Sequence, residues 1–118
     1  MPVSPSYKAF VLEQLSAVEP VTSRAMFGGM GIYAQGLFFA LIDDDRLYFK
    51  VDDATRPRFA EAGMGAFDPF KDGKTMGGYY ELPGEVLEDE ERLPEWMREA
   101  LSVAARASRK KQPKKRKA

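Results

Sequence analysis

Three short segments carry residue types at spacings that could do chemistry. Gly29-Met30-Gly31-Ile32-Tyr33-Ala34 fits the loose glycine fingerprint of a dinucleotide site, with Asp52 about 20 residues further on. That chemistry needs a strand before the glycines and a helix after them, so that a pyrophosphate meets a helix N-terminus. A strand pattern follows here and no strand pattern precedes, so the fingerprint is rejected. Asp72-Gly73-Lys74-Thr75 ends like a phosphate-binding loop, but Asp68 stands where the first glycine belongs and another strand pattern follows. Asp43-Asp44-Asp45 offers carboxylate oxygens to magnesium; a calcium loop would need a glycine where Leu47 and Tyr48 stand. A hairpin turn between hydrophobic strands accounts for the three acids. Ser23 and Ser102 lack a nucleophile elbow. Carboxylate pairing is a property of three dimensions that spacing does not reveal.

The composition narrows the field further. The chain has 118 residues, 44% apolar and 31% charged, which suits one soluble domain with one core. It has no cysteine and no histidine. Disulfides, thiol nucleophiles, the usual zinc ligand sets and histidine acid–base catalysis are thereby excluded. The expectation is a protein that is not an enzyme, with no cofactor and no metal. No apolar run approaches the roughly 20 residues that cross a bilayer, and Met1-Pro2-Val3-Ser4-Pro5 has neither the basic nor the apolar region of a secretory signal. A cytoplasmic address without a membrane partner is expected.

The elements that position these residues follow from periodicity. Ser4 or Ser6 can cap a first helix, with Pro5 in its first turn. Tyr7, Phe10, Val11, Leu15 and Val18 recur at helical spacing, and Glu19-Pro20 ends the helix. From Met30 the pattern alternates, and Gln35-Gly36 makes a turn. Leu37-Phe38-Phe39-Ala40-Leu41-Ile42 then reads as a strand buried on both faces. After the aspartate turn Leu47, Phe49 and Val51 alternate, so residues 30–51 predict a three-stranded antiparallel meander. Asp52 or Asp53 caps a second helix to about Ala62, closed by Gly63. Ala66-Phe67 is a short extended piece. Thr75 to Leu82 is a strand in which Gly77-Gly78 marks a bulge or close approach. Leu93, Trp96, Met97, Ala100, Leu101 and Ala104 form the stripe of a last helix ending near Ala107, with Asp89-Glu90-Glu91 at its start. The class is α+β: an antiparallel sheet flanked by helices, in the order α-β-β-β-α-β(β)-α.

The formal net charge of zero conceals a partition. Residues 1–105 hold all 18 acids and 10 of the 18 basic residues, a balance of −8, while residues 106–118 hold the other 8 basic residues and no acid. The boundary predicts a globular domain over 1–105 and a basic, disordered tail over 106–118. Arg109, Lys110, Lys111, Lys114, Lys115, Arg116 and Lys117 would attract DNA or RNA by counterion release, or else simply solvate the chain end.

Arg24-Ala25-Met26-Phe27-Gly28-Gly29-Met30-Gly31-Ile32-Tyr33 is more specific than any of these patterns. Gly36, Leu37-Phe38-Phe39-Ala40-Leu41, Leu47-Tyr48-Phe49-Lys50, Phe67, Tyr79-Tyr80-Glu81-Leu82-Pro83, Leu87-Glu88-Asp89 and Trp96 follow it. From about Tyr7 to Ala105 the chain resembles the N-terminal domain of the TfoX/Sxy competence regulators, as a stand-alone, single-domain member. The resemblance implies a fold similar to type III secretion chaperones and a non-enzymatic regulatory role in bacteria. Full-length members add a C-terminal helical domain and work with the cyclic-AMP receptor protein; this sequence has the basic run instead. The resemblance supplies no catalytic residues. Arg24, Met26, Phe27, Gly28, Gly29 and Tyr33 are either an interaction surface or the shaped entry to the sheet, and Arg24 is an ion-pair anchor or a ligand contact.

Two functions are therefore expected to compete. One is an adaptor that buries an apolar sheet or helix patch against a protein partner or a second copy, with whichever of Tyr33, Tyr48, Tyr79 and Trp96 prove exposed as contacts. The other is a nucleic-acid-associated protein that binds through its tail. Tyr33, Tyr48, Tyr79 and Tyr80 are either a stacking platform on one sheet face or tyrosines packed under helices or in a dimer contact.

Overall fold

Ser4 starts the first helix by accepting a hydrogen bond from the Tyr7 N–H at 3.3 Å. Pro5 fits the first turn because its missing N–H would have no partner there. In a computed structural model that describes residues 3–26, 28–68, 73 and 75–111, with side chains to Arg109, this helix (α1) spans Pro5–Ser16. It is followed by β1 (Thr22–Met26), β2 (Gly29–Ala34), β3 (Leu37–Asp43), β4 (Arg46–Lys50), α2 (Arg56–Glu61), β5 (Ala66–Phe67), β6 (Met76–Glu81), α3 (Gly84–Leu87) and α4 (Arg92–Lys111). The strands form one six-stranded antiparallel sheet in the order β1-β2-β3-β4-β6-β5. The α+β class and the 30–51 meander stand as expected.

Two elements exceed the expectation. Thr22-Ser23-Arg24-Ala25-Met26 has no apolar alternation, yet it is a strand, paired from Thr22↔Tyr33 to Met26↔Gly29. Its partner β2 and the turn through Gly28, at φ 79°, make it so. A strand therefore does precede Gly29, and the dinucleotide fingerprint fails only because a strand follows. The short α3 packs Val86 and Leu87 into the core. The acid cap also moves: Asp52 Oδ1 accepts from Ala54 and Thr55 N–H groups, closing a turn before α2, whose N-cap is Thr55. The helix α4 ends at Lys111 rather than near Ala107, crossing the boundary expected at residue 105. Its start is held by Asp89, whose Oδ1 accepts from the Glu91 and Arg92 N–H groups.

The sheet has two unlike faces. Toward the helices lie Ile32, Phe39, Ala40, Ile42, Phe49 and Tyr80, under the α4 stripe and Val11 and Leu15 of α1. Phe59 of α2 meets Trp96 edge-on at 4.9 Å. The other face carries Leu41, Tyr48, Phe67 and Tyr79 with Phe38, a cluster made, among the described residues, of strand residues alone. A bulge in β3 allows this division. Ile32 pairs with Ala40 but Tyr33 with Phe38, so Phe39 is the extra residue. It turns inward beside Ala40, leaving Phe38 and Leu41 for the other face. A second irregularity falls where β5 pairs with β6 across Gly77-Gly78, as their spacing predicts.

Gly29 is where the sheet is tightest. A Cβ there would lie 2.1 Å from the Ile42 carbonyl oxygen, which is backbone and cannot swing away. At Gly31 a Cβ would meet Met26 Sδ at 2.9 Å and Phe38 at 3.1 Å. Gly29→Ala is expected to cost about 2 kcal/mol or more, in the overpacking range, measured by denaturant unfolding. Gly65→Ala, where the added methyl meets nothing within 4 Å and no positive φ is involved, should cost far less.

Burial also marks two phenols. Burial, reinforced by Glu81 and Asp45, pushes Tyr7 up to about 12; burial, then Tyr33, does the same for Tyr79. Folding thus holds both in the neutral form. Their contribution to stability is complete below the unfolded value of about 10 and is lost as the pH rises toward 12. In an alkaline titration followed by tyrosinate absorbance, Tyr7→Phe and Tyr79→Phe should each remove one late-titrating phenol. Loss of an early phenol instead would contradict the burial.

Candidate functional site

The hairpin β1–β2 and the sheet face turned away from the main core hold the residues singled out by the sequence. Gly28 supplies the positive φ of the turn, Gly29 lets β2 approach β3, and Met26 lies over the bare backbone of Gly31. These three therefore shape the entry to the sheet. Phe27 lies outside the described residues. Arg24 and Tyr33 differ: they face outward on neighbouring strands. Arg24 is exposed, Tyr33 is half-buried, and the guanidinium lies 5.4 Å from the ring centroid. Among the described residues Arg24 forms no ion pair, so it is not the buried anchor that one reading expected.

From Tyr33 a row of rings crosses the face. Tyr33 stacks on Phe38 at 5.2 Å with the planes 27° apart, and Phe38 meets Tyr79 at 5.7 Å. Lys50 Nζ stands 4.8 Å from the Tyr79 centroid, so a cation flanks the row at each end. The attraction is that of a positive charge for a ring's negative face. Tyr48 sits further along the same face, 4.9 Å from Phe67; burial, then Glu81, raises its phenol above the ordinary range.

The structure thus unites Tyr33, Tyr48 and Tyr79 on one face and sends Tyr80 to the other, against Phe59. Of the four candidate contacts it leaves only Tyr33 accessible. Tyr48, Tyr79 and Trp96 are at most 8% exposed, because the core and the second cluster enclose them. Phe38, which sequence reasoning assigned only to a buried strand, belongs to the row; the bulge at Phe39 carried no sequence signal.

Next to this row lies the end of α4. A cleft of about 240 Å3 is lined by Phe38, Lys50 and Tyr79 on one side and Ala104, Ala107 and Ser108 on the other. Arg106 ties the helix down, donating to Asp52 Oδ2 at 2.7 Å, and that bond holds the Asp52 carboxyl below its usual range. Arg109, one turn on, is exposed. The side chains of Lys110 and Lys111, and all of Lys114, Lys115, Arg116 and Lys117, lie outside the described residues.

A larger cavity of about 880 Å3 opens among α1, α3 and the start of α4, lined by Phe10, Gln14, Val18 and Leu93 with Glu88 and Glu90. Both glutamates are exposed. Among the described residues no group of acids is placed to hold a metal ion, and no helix is long and apolar enough to cross a membrane.

The geometry can now be set beside known proteins. No curated protein matches the chain. The family model described as the TfoX N-terminal domain matches residues 13–104, which takes in the shaped hairpin, the ring row and most of α4. The chain belongs to the TfoX N-terminal domain family.

Proposed function

We propose that this chain is a non-enzymatic regulatory or adaptor domain that acts by protein contact in the bacterial cytoplasm, in transcription control or competence as its family's namesake suggests. One observation carries the contact reading. β1 is an edge strand of the sheet, it is five residues long, and Thr22, Arg24 and Ala25 are exposed along it. An open strand edge presents a row of backbone donors and acceptors that an extended segment can complete. Natural edges are usually blunted by lysine, proline or covering loops; β1 has neither lysine nor proline, and its one charge folds over Tyr33. Among the described residues Met76 is the exposed large hydrophobic side chain, which favours the strand edge over an apolar patch as the contact. The absence of histidine and cysteine supports a role without catalysis.

Ala25→Lys places a charge on the exposed edge without touching the core. The variant should melt like the parent protein and lose self-association, or capture of a defined partner, by about tenfold or more. Mass in solution and crosslinked pull-down from a bacterial lysate measure this. A strict monomer whose captured proteins are the same with and without the lysine would defeat the reading.

A further inference from the structure

The cavity among α1, α3 and the start of α4 is an apolar trough with an acidic rim. Phe10, Gln14 and Ala17 recur at helical spacing, so one side of α1 forms a wall. Phe10 and Val18 pack on the core yet are only partly buried, and Leu93, from the first turn of α4, is a buried part of the lining. The wall is held in place: Gln14 Nε2 donates to the carbonyl of Leu87, the last residue of α3, at 3.0 Å. Glu88 and Glu90, between α3 and α4, complete the lining. Both are exposed, and among the described residues neither forms an ion pair. The neighbouring cation is engaged elsewhere, since Arg92 meets Asp89 at 2.9 Å and Glu85 at 3.8 Å. Among the described residues no lysine or arginine lines the cavity.

We infer that this trough is the docking site for a basic amphipathic helix of another protein, whose apolar side chains enter among Phe10, Val18 and Leu93 and whose lysines or arginines meet Glu88 and Glu90. The site lies on other elements than the β1 edge, so the inference goes beyond the contact reading made there and does not rest on it. Charge complementarity names the occupant. Two carboxylates without an ion pair, in a lining without a cation, favour a positive partner, and the balance of −8 over residues 1–105 steers one toward the domain. The same groups repel an acidic segment or a nucleic acid. Size and shape set its form. About 880 Å3 lies near the upper end of the roughly 300–1,000 Å3 of ligand pockets, which leaves room for several side chains. Ala17, Glu88 and Glu90 in the lining are exposed, so the mouth opens to solvent. A trough of that kind takes a helix laid along it, anchored at i, i+3, i+4 and i+7, rather than an enclosed metabolite.

The test uses the full chain and a fluorescently labelled peptide of about fourteen residues, with leucine at i, i+3, i+4 and i+7 and lysine between. One control peptide carries glutamate for lysine; another has the same residues shuffled so that no apolar stripe forms. Anisotropy at about 150 mM salt should rank the striped lysine peptide above the shuffled one and show no binding of the glutamate peptide. Glu88→Gln and Glu90→Gln should each weaken binding about two- to fivefold, and together about tenfold. Glu61→Gln, which removes the same charge from α2, should not. Ala17→Trp, which fills the trough from an exposed position, should abolish binding. Ala25→Lys, which blunts the β1 edge, should bind like the parent protein, so the two surfaces are tested apart. Thermal melts identify any variant that loses the fold, and the two glutamine variants, which alter only exposed side chains, then decide. Equal binding of striped and shuffled peptides, or an equal loss in Glu61→Gln, would reduce the attraction to charge alone and overturn the inference. So would loss of binding in Ala25→Lys, or a doubled mass in solution that Ala17→Trp abolishes, which would make a second copy the occupant.

Discussion

Much of this structure depends on a side chain that is not there. β2 runs so close to β3 that any Cβ at Gly29 would sit inside the Ile42 carbonyl. Because the position is bare, β2 lies tight on β3 and the turn at Gly28 can fold β1 back onto β2. Two residues on, Gly31 repeats the device on a smaller scale and gives Met26 a place to lie. The Arg24-to-Tyr33 segment thus builds a hairpin whose free margin is β1, and whose outward residues are the two that shape nothing, Arg24 and Tyr33.

The bulge at Phe39 completes the division of labour between the faces. Without it Phe38, Ala40 and Ile42 would point the same way, and Phe39 the other. With it, Phe39, Ala40 and Ile42 face the helices, and Phe38 joins Tyr33 and Tyr79. The helices then cover one face, through a stripe that includes Trp96, Met97 and Leu101. Trp96 is further enclosed by Phe59 at 4.9 Å and by the Arg58 guanidinium at 4.2 Å, itself held by Glu95 and Glu99. The tryptophan is therefore a keystone of helix packing and is lost as a docking residue.

Electrostatics also ties the last helix to the end of the sheet. Arg106 is instructive. The charge partition assigns it to the tail, but its bond to Asp52 makes it part of the domain and neutralises an acid beside the ring row. Family membership and a continuous α4 agree on a single structural unit reaching at least to residue 104.

The periodic elements were legible in the residues themselves. The α4 stripe, the apolar run of β3, the turns at Gln35-Gly36 and Asp44-Asp45 and the irregularity at Gly77-Gly78 all follow from local spacing, because burying one face of a helix or strand imposes its period on the sequence. The family was legible for the same reason, since glycines at tight backbone approaches leave a fixed pattern. The strand β1 was not, because Thr22 to Met26 gain their conformation from pairing with β2 and carry no periodicity of their own. Nor were the facing of Phe38, the burial of Tyr48 and Tyr79, or the arrival of α4's basic end beside the rings. Each is a relation between residues distant along the chain, set by strand register and helix packing, and only the folded sheet brings them within reach of one another.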